Sequence, residues 1–456
     1  MAGYMDFCGC ETSLPTVQAA EAWSDTIRAF LAHGAATPQH LERTFQLAPQ
    51  FAQGHAVKGL FLLLLGRAEL VESAQDCLRQ AKRSAADVTP TVREVAYIDA
   101  LAAWLGGAPS RSAAGLDSVL RTVPQDALAM KLVQAIYFVL GQAGQMRASI
   151  ERILPHYDTH PALGYLKGCY AFALEETCAY AQAETTGREG LLLCPDDAWG
   201  LHAVAHVYDM TARAQDGLFW LSGRESAWAH CNNFRYHVWW HIALMKLDLG
   251  HLDDVLALYD TEIRADQTDD YRDISNAASL LSRLEVEGVN VGTRWEELAR
   301  LSEGRTGDGC VVFADLHYML ALIGGGRAQA QKTLLSRMAR DADRRETELD
   351  LITRHPGLSA AAGLEAFGEG AYAKAFLNLN AARNDLSTIG GSHAQRDVFE
   401  RLTIEAGLRG GYLDATERML VDRTARRGGY EDGYTARRLA LIAQARSPQP
   451  AAMTGA

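Results

Sequence analysis

From Ala19 to Ala445 apolar residues recur at helical spacing, and alternating runs rich in β-branched residues are nearly absent. That pattern predicts an all-α chain, because the buried face of a helix repeats every 3.6 residues and that of a strand every two. The helical stretches come in pairs: about four turns, a break usually marked by glycine, then an Ala-rich second helix often closed by Pro or Asp. The breaks fall at Gly66, Gly106, Gly141, Glu175, Arg213, Gly250, Gly288, Gly325, Gly370 and Gly410, between 34 and 45 residues apart. The chain therefore reads as one helical hairpin repeated about ten times.

Single units carry the packing logic of such a repeat. Gly250, Leu252, Val255 and Tyr259 supply break, apolar contacts and aromatic in one; Gly363, Gly370, Tyr372, Ala375 and Leu379 do so in another. Small residues let the two helices of a hairpin approach, and the aromatic fills the space against the next hairpin. The interval is a little above the ~34 residues of the tetratricopeptide repeat. The predicted fold class is an all-α, tetratricopeptide-like α-solenoid of about ten hairpins, curled around a central polar cavity. It divides into an N-terminal arm (1–18), one continuous repeat domain (19–446) and a C-terminal tail (447–456).

Composition narrows the function classes. With 48% hydrophobic and 22% charged residues the chain can bury a large core. Its net charge of −12 argues against a basic stripe, and hence against a nucleic-acid or anionic-membrane partner. No apolar run is long enough to span a bilayer and no leader pattern opens the chain, which points to the cytoplasm. The eight cysteines show no disulfide framework; Cys8 and Cys10 are the only close pair, and they fall in the expected arm.

The chemistry lies in the histidines. Fourteen His give roughly 0.4 HxxxH pairs by chance, and three occur. His156/His160 sits among prolines in an expected loop and is discounted. His202/His206 and His237/His241 lie in helical, apolar stretches, where i,i+4 spacing puts each pair on one face. Both pairs precede their breaks by about a first-helix length, so they fall on first helices of consecutive hairpins, which stand about 8 to 10 Å apart along the concave face. Asp315 and His317, His393 and Asp397, and His55 recur at similar positions in other units, where a curled array brings first helices round one cavity.

Three chemistries suit this set. Four imidazoles of His202, His206, His237 and His241 can hold zinc or another first-row divalent ion, which acidifies a bound water. A histidine oriented by Asp315 or Asp397 can act as a metal-free general base, with His393 and His317 as the catalytic candidates. Or Trp199, Tyr236, Trp239, Trp240 and Glu175 can bind a small polar ligand through aromatic faces and hydrogen bonds. The plain alternative is that buried histidines only lock neighbouring hairpins together.

Leu201-His202-Ala203-Val204-Ala205-His206-Val207-Tyr208-Asp209-Met210, Cys231-Asn232, His237-Val238-Trp239-Trp240-His241 and Gly390-Gly391-Ser392-His393-Ala394-Gln395-Arg396-Asp397 resemble phrases of the tetratricopeptide repeat protein 38 family. The resemblance runs from about Leu60 onward and is loose over the first fifty residues. It implies the repeat fold and assigns no reaction. The expected function is binding of a small polar molecule in a His/Asp-rich pocket, with metal-assisted or His-dependent hydrolysis. The alternative is a scaffold that takes a peptide or protein segment in its groove. Oligomeric state is left open.

Overall fold

The computed structural model describes residues 4–447. Ten first helices correspond to the ten predicted breaks, from Ala52–Leu64 through Leu163–Glu176, Ala198–Met210, Phe234–Asp248 and Tyr271–Val286 to His393–Arg409; the break expected at Glu175 comes just after that residue, at Thr177 to Ala179. Each is followed by a second helix on the outside. A further hairpin, Val17–Leu31 with Thr37–Leu47, precedes them, and Gly433–Arg446 closes the array. The fold is an all-α helical-repeat solenoid, and no helix among the described residues is long and apolar enough to cross a membrane.

The two layers differ as their sequences require. Second helices are amphipathic: in Glu69–Asp87 only Ala74, Cys77, Ala81 and Ser84 are buried, one stripe at helical spacing. Several first helices in the middle of the array are buried nearly all round: in Ala198–Met210 every residue except Trp199 and Asp209 is buried. A helix enclosed on all sides has neighbours on all sides, and the array supplies them by winding back on itself.

Contacts between residues 202 to 246 apart recur along the chain. Glu348 N–H donates to Gly107 O (3.0 Å) and the Glu348 carboxylate accepts from Ser110 N–H (2.9 Å). Tyr180 Oη donates to Arg426 O (2.7 Å), and His393 N–H donates to Glu176 Oε1 (2.7 Å). That separation is about six hairpins of the ~38-residue unit, so one superhelical turn stacks directly on the next. First helices distant in the chain pack side by side, as Tyr271–Val286 does with His393–Arg409.

At most hairpin bends the residue after the first helix is a left-handed glycine, as at Gly250 (φ 78°) and Gly370 (φ 73°). The two bends that flank the first histidine helix use Cys178 (φ 61°) and Ala212 (φ 53°) instead. A Cβ in that conformation costs ~1 to 2 kcal/mol. Ala212→Gly should therefore stabilise the protein by about 1 kcal/mol, read as a higher urea midpoint at unchanged m-value. Gly168 and Gly200 let the first helices Leu163–Glu176 and Ala198–Met210 nearly touch: a Cβ on Gly200 would lie 3.1 Å from the Gly168 Cα. This close approach seats His202 against Phe172.

Within the expected N-terminal arm, a short hairpin precedes the first helix. Tyr4–Met5 pairs antiparallel with Glu11–Thr12, and Asp6 Oδ1 accepts from the N–H groups of Cys8 (2.9 Å) and Cys10 (3.0 Å). Arg93 ties this turn to the repeats, contacting Asp6 (3.3 Å) and Asp126 (2.9 Å). Cys8 and Cys10 are buried, and burial followed by nearby carboxylates raises both thiols, so they stay protonated. Residues 1–3 of the predicted arm and all of the predicted tail beyond Ser447 lie outside the described residues.

Candidate metal centre

Helix Ala198–Met210 presents His202 and His206 on one face, and the neighbouring helix Phe234–Asp248 presents His237 and His241 toward them. The four Nε2 atoms converge: His206 to His202 at 2.9 Å, His202 to His237 at 3.0 Å, His237 to His241 at 3.3 Å. One ligand nitrogen from each lies within 4.8 Å of the others. Around a zinc ion at 2.0–2.1 Å, the edges of a ligand tetrahedron are about 3.3 to 3.4 Å. The observed separations are close to that.

The surroundings keep the rings neutral. His202, His206 and His241 are buried, and desolvation lowers each well below the ordinary imidazole value, with the neighbouring imidazoles adding to the effect at His202. His237, the only one of the four that is partly exposed, is lowered to about 4, again by burial first. Neutral imidazole carries the lone pair a metal needs. Aromatic rings wall the cluster: Phe172 stands 5.4 Å from His206, Trp199 5.1 Å from His202, Phe234 5.1 Å from His202 and Trp240 5.2 Å from His237.

The second nitrogens indicate how the rings are oriented. His237 Nδ1 lies 3.0 Å from Asn276 Oδ1, and His206 Nδ1 lies 3.6 Å from Glu175 Oε2. With every Nε2 turned inward as an acceptor, each Nδ1 carries its proton, which His237 donates to Asn276 and His206 directs at Glu175. This is the outer-partner pattern of metal-bound histidine. Of the four, only His237 makes a hydrogen bond through Nδ1; the Nδ1 atoms of His202, His206 and His241 make none. Without a cation the Nε2 atoms can only share protons in a chain, and one His202 hydrogen or lone pair must serve two contacts. Glu175 is fully buried with neither oxygen hydrogen-bonded, and burial, then Glu176, pushes its carboxyl well above the usual range. A cation beside His206 would compensate that carboxylate.

The other predicted residues divide. Trp199, Trp240 and Glu175 belong to the walls of the cluster. Trp239 packs on Trp228 (5.6 Å), and Tyr236 bonds to Arg235 and Asp266, so neither faces the histidines. The reason is helical: 237, 240 and 241 share one face and 236 and 239 turn away. Asp315 and His317, two apart on one helix, do not meet. Asp315 pairs with Arg337, while His317 Nδ1–H donates to Phe313 O (2.7 Å) and its ring sits between Phe313 and Phe399. His393 faces Glu176 (Nε2 to Oε2, 3.5 Å) and not Asp397. Asp397 is held by Arg401 (2.6 Å) and Arg423 (2.8 Å), and although burial opposes it those guanidiniums keep its carboxyl well below the ordinary range. A carboxylate so held orients no histidine, so the structure assembles neither predicted acid/base pair. His55 stacks on Phe45 and lies 2.8 Å from Pro49 O, apart from the cluster.

Sequence reasoning missed His33, Phe172, Phe234 and Asn276. His33 is left-handed (φ 56°) and stacks between Trp199 (5.3 Å) and Phe234 (4.7 Å), its Nε2 buried without a protein partner. It precedes the first recognised break, so no repeat position marked it. Asn276 carries only a helix-face signal in the sequence; its place beside His237 comes from packing of successive first helices.

No family model matches the chain. Among solved structures, a human IFIT1 dimer with PPP-AAAA is 13% identical, covering 94% of this chain and 95% of that one, with a TM-score of 0.40. A human IFIT1 dimer with m7Gppp-AAAA is 14% identical over 86% and 90%, with a TM-score of 0.38. The expected exclusion of a nucleic-acid partner is withdrawn: the two IFIT1 structures hold PPP-AAAA and m7Gppp-AAAA. The physical reason is that net charge averages over the surface: a chain at −12 still gathers Arg383, Arg396, Arg423, Arg426 and Arg427 around one cavity.

Proposed function

We propose that this chain is a metal-binding helical-repeat protein in which His202, His206, His237 and His241 hold one first-row divalent ion, with zinc the leading candidate. The observation that carries the reading is the convergence of four imidazole nitrogens, three of them on buried residues, with successive Nε2 atoms 2.9 to 3.3 Å apart and all four within 4.8 Å of one another. Neutral nitrogen donors suit zinc and its neighbours better than magnesium or calcium, which prefer oxygen. Membership of the tetratricopeptide repeat protein 38 family is part of the same proposal, supported by the His-containing phrases that supply the ligands.

The test is elemental analysis of protein purified without a His tag. About one ion per chain is expected, together with a fall in Tm on chelation that added zinc reverses. No stoichiometric metal and no zinc-induced rise in Tm would overturn the proposal.

A four-imidazole set closes a tetrahedron, the arrangement of an ion that joins two hairpins. Metal-assisted hydrolysis or related acid/base chemistry on a small polar molecule is the second reading. It is favoured by His237, whose partial exposure makes it the ligand that can yield a coordination position to water. In cobalt-substituted protein, a visible spectrum that moves from four- to five-coordinate on adding inorganic phosphate supports this reading; an unchanged four-coordinate spectrum removes it.

A further inference from the structure

Apart from the histidine cluster, the chain builds a cavity of about 270 Å³ between His393–Arg409, the preceding helix Tyr372–Ala382 and turn Arg383–Ile389, and the following helix Leu413–Arg426. At ~30 Å³ per water that is room for about nine waters, or one small molecule. One wall is apolar, with Leu379, Leu386 and Phe399; the other is cationic, with five guanidiniums against the carboxylates of Asp397 and Glu400.

Those two carboxylates are shared. Arg383 (3.1 Å) and Arg426 both bond to the same Glu400 oxygen. Asp397 serves Arg401 and Arg423, with Arg283 at 3.8 Å. Arg423 uses Nε on Asp397 and Nη1 on Asp432 (2.7 Å) and Thr435 (3.0 Å), yet its Nη2 has no protein acceptor although the residue is 2% exposed. His393, which lines the same cavity, holds Glu176 with its backbone N–H and Nε2, and its Nδ1 is buried without a partner. A buried guanidinium N–H without an acceptor is costly, and planar guanidinium donors match phosphate and carboxylate oxygens.

We infer that this cavity binds a small molecule bearing a phosphate or carboxylate group, the oxyanion held by Arg423 Nη2, Arg426 and His393, and a short apolar body lying against Phe399 and Leu386. This inference deepens the small-ligand part of the proposed function and does not rest on the metal. The two sites nonetheless share a wall: Glu176 contacts His393 and Arg396, and its neighbour Glu175 faces His206.

The test is calorimetric titration of the full chain with pyrophosphate and, separately, citrate, on zinc-loaded and on chelated protein. One-to-one binding of at least one probe is expected, with Kd below ~1 mM. Arg426→Gln, whose guanidinium is 49% exposed and tolerant of loss, and His393→Gln should each weaken it by about tenfold. Pyrophosphate alone identifies a phosphate ligand and citrate alone a carboxylate. No heat from either probe at ~10 mM, or binding indifferent to both variants with native circular dichroism, overturns the inference. Binding by chelated protein that takes up no zinc keeps this site and removes the metal centre; zinc uptake without probe binding does the reverse.

Discussion

His241→Ala is expected to lower zinc affinity by about two orders of magnitude or more. Structural zinc sites bind with ~10 to 16 kcal/mol over four ligands, so each imidazole contributes about 3 kcal/mol and its loss costs roughly a hundredfold. The ion would then be held by His202, His206 and His237, a three-ligand set. The measurement is zinc affinity by competition with a chromophoric chelator, with Tm recorded in excess zinc and in excess chelator. If the histidine binds metal, the variant loses the zinc-dependent part of Tm. If it only fills the core, the chelated variant and chelated parent differ in Tm and zinc moves neither. His241 is 0% exposed, so some loss in the chelated state is expected from the cavity itself; the zinc-dependent difference is the diagnostic quantity.

The second large effect falls on Asp397, expected to orient a histidine base and found instead to anchor an ionic network. Its carboxylate binds Arg401 and Arg423, and Arg423 in turn binds Asp432. Asp397→Asn leaves buried guanidiniums with one anion fewer, and breaking a buried network in this way costs about 3 to 5 kcal/mol. Because its carboxyl is held below the unfolded-state value, it contributes stability above the ordinary carboxylate range, and that contribution disappears as pH falls through the depressed folded value. The parent should therefore lose stability steeply only in acid, while the variant should start lower at neutral pH and fall less. Urea midpoints from neutral pH down to ~3 would show it; equal slopes in both proteins would assign the acid sensitivity to other carboxylates.

Much of the site was legible before any coordinates, because helix geometry carries it. Spacing of four residues puts His202 with His206 and His237 with His241, and similar placement ahead of two successive breaks puts both pairs on adjacent first helices. Contacts that depend on the second superhelical turn were not legible. Asp315 and His317 look like a dyad in sequence, yet residues two apart on a helix point in different directions, and each found its partner elsewhere: Arg337 in one case, the Phe313 carbonyl in the other. His393 and Asp397 are one turn apart, yet Glu176 takes the first, and Arg401 and Arg423 take the second. Glu176 is 217 residues from His393, and no local pattern encodes such a pairing.

The sequence by itself determined the all-α class, the hairpin unit, its ten breaks and the pairing of the four histidines, since all of these follow from periodicities shorter than one repeat. Tertiary structure alone decided that the array winds closed, and three consequences follow from that. First helices distant in the chain bury one another, Glu175 and Asn276 come to lie beside the histidines, and the arginines of a −12 chain collect around one small cavity. The physical reason is the pitch of the superhelix: a small rotation per hairpin, summed over about six of them, sets which distant residues meet.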